Sequence, residues 1–330
     1  MDSGNSSDRS YLDQIRINEG ADKCRAALSE AFRRNVQHAA GLLNDRRLTF
    51  PCLFILRGQI EALKIQRYLS PRNIIAIRIA NQIRGAKAYD VDYLSSKRDS
   101  VYPVLKWIVE TGCGDEIPED EYEETLDVAV SVLISVYKDR DILPLAAELI
   151  FKRNKNGRYI HDLVWALFQV HDSRVLKLIA THMRSSDEKE AELAAELLNL
   201  DETDVPAGQG DRDGQYMGYL HWLAENEPYL YFTEESYQYA SKPMFCAVDL
   251  ERKYLQKGIR THDKQPLSLA DENAHENLAA FKQLNGKEQK ILSGYSKKVH
   301  DTDISVWKEW LRMPVREQIK AAKAEPEGDK

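Results

Sequence analysis

The chain has 330 residues, of which 43% are hydrophobic and 30% charged, and its net charge is −7. That balance excludes a disordered or fibrous chain and is long for one compact core, so two domains or one elongated array are expected. No uncharged apolar run approaches the roughly 18 residues that span a bilayer, and the polar, acidic start Met1–Ser10 lacks the basic patch and apolar block of a secretory leader. Cys24, Cys52, Cys113 and Cys246 lie far apart with no Cys-x-x-Cys pair, which argues against a disulfide framework or a zinc knuckle. The expectation is a cytoplasmic protein with no membrane contact.

Residues 1–10 read as a disordered N-terminus. From Tyr11 to about Asn44 the apolar spacing is helical, with Leu12, Ile15, Cys24, Ala27, Leu28, Ala31 and Phe32 as candidate core positions. Thr49-Phe50-Pro51 marks a turn, after which Leu53, Leu56, Ile60, Leu63 and Tyr68 supply an apolar face. Ser70-Pro71 starts a helix, because serine caps free amides and proline suits a first turn. Ile74, Ile75, Ile79 and Ile83 come next, and Gly85 is the stop. Residues 11–99 thus form a helical N-terminal region, read as continuous with residues 100–200.

Residues 100–200 repeat. Asp139–His171 and Asp172–Leu200 overlay at an offset of 33, which matches Ile142 with Val175, Leu143 with Leu176, Ile160 with Leu193 and Val164 with Leu197. A looser copy lies upstream, where Val101 to Val104 matches Ile142 to Leu145, and Leu126, Val130 and Leu133 match Ile160, Val164 and Leu167. A period of this size with two helices per unit signals an α-solenoid. Ser100 and Asp141 open the first two units, each with a proline (Pro103, Pro144) three residues later, where a missing N–H costs no helix bond. In the third, Ser185-Ser-Asp-Glu188 resembles a capping sequence. The stretch Asp115–Asp127, with eight acids and no base, reads as extra loop on one face of the array.

These helix pairs (Val101–Val109 with Leu126–Val136, Ile142–Ile150 with Ile160–Phe168, Val175–Met183 with Leu193–Leu200) resemble HEAT-like α-solenoids. The inner loops, 152–158 and 184–189, depart from the Asp and basic positions usual in that family. The resemblance implies an all-α array with a curved surface for protein contacts and no catalysis. The second helices of such an array form a ridge, expected near Asp162, Trp165, Gln169, Glu192, Glu196 and Asn199.

Residues 201–214, with four Asp and three Gly, cannot continue a packed helix and read as a linker. A smaller, non-repetitive helical domain is expected over 215–320, with helices near 215–226, 233–257, 268–285, 287–299 and 303–320, the last running through Pro314. Residues 321–330 read as a disordered tail.

Catalytic motifs are missing. His275-Glu-Asn-Leu-Ala279 has alanine where a zinc-protease helix needs its second histidine. Gly286-Lys287 lacks the upstream glycine of a phosphate loop, and after Asp211-Arg-Asp-Gly214 the place of the bidentate glutamate is taken by Trp222. Neither a Gly-x-Ser-x-Gly elbow nor a Gly-x-Gly-x-x-Gly turn occurs. His161, His171 and His182 read as satisfied surface or interface groups. No catalytic residue, cofactor or metal is therefore assigned.

Two segments stand out. Between Tyr216 and Tyr254 lie ten of the 29 aromatic residues, crowded at Asn226–Thr233. They serve either as the filling of a small core or as a recognition surface. The partner-binding residues on the second reading are Trp165 and Gln169 on the ridge and Trp222, Tyr229, Tyr231 and Phe232 at the corner. From Glu30 to Lys87, eleven basic residues face three acids. This segment fits a solvated surface with internal salt bridges, a dock for an acidic protein surface such as the 115–127 loop of another copy, or a phosphate-backbone site of Arg33, Arg34, Arg46, Arg47, Arg72, Arg78 and Arg84. The leading expectation is a non-catalytic adaptor that binds another protein. The alternative is a HEAT-like nucleic-acid binder or DNA base-excision glycosylase, which would place the arginines on a concave face.

Overall fold

The computed structural model describes residues 9–85, 98–115, 117, 119–203, 205, 211–264, 266–267 and 272–324. Of the predicted disordered ends 1–10 and 321–330, residues 1–8 and 325–330 lie outside the described residues, as do 204 and 206–210 of the predicted linker 201–214. The chain is all-α, with one two-stranded ribbon among the described residues. It divides into two compact units, Met1–Val170 and His171–Lys330, so the division falls between the second and third predicted helix pairs, whereas the expected boundary was 201–214.

In the N-terminal unit, the helical stretch 11–44 is broken into α1 (Tyr11–Glu19), α2 (Ala21–Arg34) and α3 (Val36–Leu43). Gly20, at φ 95°, takes a left-handed turn that L side chains disfavour. Asn35 is extended, and its side-chain oxygen accepts from the amides of Gln37 and His38, so it caps α3. Ser10 is buried rather than disordered, and its hydroxyl caps α1 by accepting from the Asp13 amide. Thr49-Phe-Pro begins α4 (Phe50–Ala62) with the proline in the first turn. Leu53, Leu56 and Ile60 are buried as expected, and Cys24 and Cys52 meet with their sulfurs 3.8 Å apart.

α5 (Pro71–Gly85) starts at Ser70-Pro71 and turns Asn73, Ala76, Ile79 and Ala80 inward. Of the isoleucines that this helix carries, Ile79 is buried and Ile74 is 45% exposed. α6 (Arg98–Gly112) begins ahead of Ser100 and carries Pro103 in its interior. The acidic stretch is mostly helix: α7 spans Asp120–Ser135 with Asp120, Glu121 and Glu123 in its first turn. Carboxylates there complement the positive end of the helix dipole, which is why charge density misleads as a loop signal. α8 (Leu143–Lys155) has Pro144 in its first turn, and α9 (His161–Phe168) completes the second pair. α7 packs on α6, and α9 packs on both α8 and α7.

α6 and α7 meet closely at Gly112. A Cβ there would lie 2.7 Å from Leu126 Cδ2 and 3.1 Å from the Tyr122 hydroxyl, which donates to the Gly112 carbonyl. Tyr122 is buried and stacks on Phe50, so neither side chain has room to retreat. Gly112→Ala is expected to cost about 1–3 kcal/mol by overpacking, read as a lower urea midpoint.

The C-terminal unit opens with α10 (Ser173–Thr181), capped by Asp172, and α11 (Glu188–Leu197), capped by Asp187 rather than Ser185. Along α11 the pattern is as expected: Leu193, Ala194 and Leu197 face in while Glu192 and Glu196 face out. α12 (Arg212–Asn226) is next. The predicted helix 233–257 is replaced by an antiparallel ribbon of β1 (Leu230–Phe232) and β2 (Cys246–Val248) and by the short α13 (Leu250–Tyr254). Then come α14 (Glu272–Lys282), α15 (Gly286–Thr302), α16 (Ile304–Arg312) and α17 (Val315–Ala324). Pro314 separates the last two, which were expected as one helix, because it has no N–H to donate and its ring obstructs the preceding turn. Part of the expected tail, Ala321–Ala324, belongs to α17.

Candidate interaction surface

Helix α9 buries one face completely, with Leu163, Val164, Ala166, Leu167 and Phe168 all inside. Its other face carries the ridge residues expected there. Asp162 is exposed, Trp165 is 46% exposed, and Gln169 is half-buried. His161, Trp165 and Gln169 stand four residues apart and so form one stripe. Tyr159, 55% exposed, extends that stripe before the helix begins, with its ring 4.6 Å from that of His161.

The neighbouring α7 exposes Asp120 and Glu124 and half-buries Asp127 on its outer side. The Tyr159 hydroxyl is raised above its ordinary pKa by partial burial, then by the carboxylates of Asp162 and Asp127, which places these groups within electrostatic reach of the ring. The basic turn after α8 is largely spent inside the unit. Arg153, itself buried, pairs with Asp127 at 2.6 Å and donates to the Glu123 carbonyl. Arg158 pairs with Glu123 at 3.0 Å, and Lys152 donates to the Gly114 carbonyl.

Burial pushes the Asp127 carboxyl up to about 7 against the pull of Arg153, with Asp162 and Glu123 adding to the rise. An unfolded aspartate titrates near about 3.9. The folded state therefore holds this proton more tightly, so the Asp127 contribution is full below about pH 4 and is lost as pH rises through about 7. Asp127→Asn is expected to lose less stability than the parent chain between pH 4 and pH 7. Urea midpoints of both proteins at the two pH values check this.

The aromatic corner of the C-terminal unit turns inward, contrary to the recognition reading. Tyr229 is buried and its hydroxyl donates to Gln256 Oε1; Phe232 is buried and stacks on His171 at 5.4 Å. Tyr231, between Leu230 and Phe232 on β1, points away from their buried side, as strand alternation requires, and Lys264 lies 5.1 Å over its half-buried ring. Trp222 is half-buried, stacks on buried Tyr219 and lines a cavity. Tyr219, Phe245 and Tyr254 are also core residues. Five of the ten aromatics in the cluster fill a core, four are half-buried, and Tyr239 is 84% exposed.

The arginines of 30–87 are spread over several helices and much of their charge is met locally. Arg34 pairs with Glu30, and Arg47 with Asp45. Arg57 lies 3.6 Å over the Phe54 ring and pairs with Glu119 and Glu121. Arg72 lies 4.4 Å over Trp107 and donates to the carbonyls of Asp45 and Arg46. Arg33, Arg46 and Arg78 are exposed, and the Arg84 side chain lies outside the described residues. The acidic stretch 115–127, one candidate to dock on the basic segment of another copy, has partners within its own chain, since Arg16 also pairs with Asp115.

Sequence reasoning missed two features. Ser10-x-x-Asp13 carries the spacing of a capping box, and Tyr159 stands directly ahead of the ridge helix. Among the described residues no group of three His, Cys, Asp or Glu is placed to hold a metal ion, and no helix is long and apolar enough to cross a membrane. Compared with family models, curated proteins and solved structures, the chain matches none.

Proposed function

We propose that the chain is a non-catalytic interaction protein whose N-terminal unit docks a lysine- or arginine-bearing segment of a partner protein on the outer face of α7 and α9. The observation that carries this reading is Trp165, a large ring 46% exposed on a helix whose other face is fully buried, with Asp162 exposed beside it. An aromatic face next to carboxylates attracts a cationic side chain, and tryptophan is the strongest ring for it. Tryptophan is also among the residues that dominate binding energy at protein interfaces. Tyr159 and the acidic outer side of α7 extend the patch.

The packing of α9 on α7 supports a HEAT-like reading of this unit, because these are the second helices of two successive pairs and such helices form the ridge of a solenoid. The internal contacts of Arg34, Arg47, Arg57 and Arg72 favour protein docking over phosphate-backbone binding.

Trp165→Ala is expected to weaken binding of a fluorescent Lys/Arg-rich peptide by about 30-fold, the equivalent of about 2 kcal/mol for an interface tryptophan. About half of the Trp165 surface is covered, so the unfolding midpoint should also fall somewhat, and binding is compared at a temperature where both proteins are fully folded. Fluorescence anisotropy against the full chain reads the affinity. Equal binding by parent and variant would remove Trp165, and with it this reading.

A further inference from the structure

The four cysteines are far apart in sequence, but the packing of α2 on α4 brings two of them together. Cys24 and Cys52, 28 residues apart, have no solvent exposure, and their sulfurs lie 3.8 Å from each other. A disulfide holds its sulfurs about 2.05 Å apart, so closure needs an approach of less than about 2 Å. The pair sits where three helices meet, because Cys24 Sγ also donates to the Leu12 carbonyl of α1 at 3.4 Å.

The thiols are unequal. The hydrogen bond with Cys52 lowers the Cys24 pKa against burial and the Asp13 carboxylate, and the guanidiniums of Arg16 and Arg25 lower it further. Cys52 is pushed up by the same bond and by burial. Burial pushes Cys113 and Cys246 each up to about 12. A thiolate attacks an oxidant where a thiol does not, so Cys24 reacts first and Cys52 stands beside it to resolve the product. Both sulfurs are enclosed, which selects an oxidant as small as hydrogen peroxide, admitted as the helices open locally.

We infer that Cys24 and Cys52 are a reversible redox modification site, which a small peroxide closes into a disulfide tying α2 to α4. The Cys24 thiolate attacks one peroxide oxygen and the O–O bond breaks, leaving Cys24 as a sulfenic acid. The other oxygen departs as hydroxide and becomes water with the proton that Cys24 gave up. The Cys52 sulfur then attacks the Cys24 sulfur, the S–O bond breaks, and the hydroxyl leaves as water with the Cys52 proton. The pair thus loses two electrons and two protons, and the peroxide is reduced to two waters. A small dithiol reopens the bond by exchange and leaves as its own disulfide. The link closes a loop across 28 residues, which restricts the unfolded chain.

Treating the folded full chain with hydrogen peroxide, alkylating the remaining thiols and mapping its non-reduced peptides by mass tests the site. The expected products are a cross-linked Cys24–Cys52 peptide pair, with Cys113 and Cys246 alkylated. Dithiothreitol should restore all four thiols, and the oxidised chain should unfold at a higher urea concentration than the reduced one. Cys52→Ala should stop at a Cys24 sulfenic acid that dimedone traps. The peptide map needs only the parent chain, so it decides even where that variant fails to fold. Four thiols left free, a Cys24 sulfinic acid without a link, or a link between another pair would overturn the site. An oxidised chain that unfolds no later than the reduced one would overturn the tie between α2 and α4.

Discussion

Replacing Asp13 with alanine is expected to destabilise the N-terminal unit by about 3–5 kcal/mol, the range for removing one partner of a buried charge pair. Asp13 has no solvent exposure. It accepts from the Ser10 hydroxyl at 2.6 Å, the Thr49 amide at 3.0 Å and the Thr49 hydroxyl, and it pairs with Arg16 at 3.5 Å. The cap of α1 and the start of α4 are thus joined through one carboxylate. Alanine leaves these buried donors without an acceptor, and each such loss costs about 1–3 kcal/mol. Asp13→Asn should also be harmful, because one carboxylate oxygen becomes an amide N–H facing donors. A further Arg16→Met change should recover part of the loss, although Arg16 keeps Asp115 as a partner at 2.9 Å. Urea unfolding, with hydrogen exchange of the α1 and α4 amides, reads the effect. A loss under about 1 kcal/mol would show that this hub contributes little beyond an ordinary hydrogen bond.

Tyr254→Ala is expected to cost the C-terminal unit a similar amount, about 3–5 kcal/mol, as for other buried aromatic truncations. Tyr254 is fully buried where α13, α14, α16 and α17 converge. Its ring stacks on Phe281 at 4.5 Å and meets the edge of Trp310 at 6.0 Å. Its hydroxyl donates to Gln318 Oε1 at 2.7 Å, and Gln318 in turn donates to the carbonyls of Leu311 and Met313 across the Pro314 break. From the other side, Ser296 Oγ donates to the Tyr254 carbonyl and accepts from Trp307 Nε1. Tyr254→Phe keeps the ring and orphans only Gln318 Oε1, so about 1–3 kcal/mol is expected. Thermal unfolding of both variants checks the order; equal losses would assign the weight to the hydrogen bond instead of the ring.

The parts of this structure that were legible in the sequence are those decided by local periodicity. The Ser70-Pro71 start, Pro144 in a first turn, and the alternation of Leu193 and Leu197 with Glu192 and Glu196 all reflect 3.6-residue spacing and capping chemistry. The second helices of the first two pairs were placed correctly, and so was the outward side of Trp165. What was not legible depends on partners distant in sequence. Leu230–Phe232 is a strand because Cys246–Val248 returns beside it, and nothing near Tyr229 specifies that return. Once β1 forms, its alternation sends Leu230 and Phe232 to the core and leaves Tyr231 at the rim. The acidic run 115–127 was misread because a helix N-terminus favours the same carboxylates as a solvated loop. The Ser10, Asp13 and Thr49 hub needs α1 and α4 to meet, and the Tyr254–Gln318 bond needs α13 and α17 to meet. Neither meeting leaves a mark in local sequence.

The docking face is tested most directly by inverting its charge. Asp162 is exposed, so Asp162→Lys should fold like the parent chain. The parent is expected to bind a Lys/Arg-rich peptide and to ignore a Glu/Asp-rich peptide of the same length, with affinity that falls as salt screens the attraction. Asp162→Lys should weaken the basic peptide by at least about tenfold, as expected for losing a charged contact and adding a repulsive one. A parent chain that binds both peptides equally, or an Asp162→Lys variant that binds the basic peptide as well as the parent does, would contradict the assignment of this face.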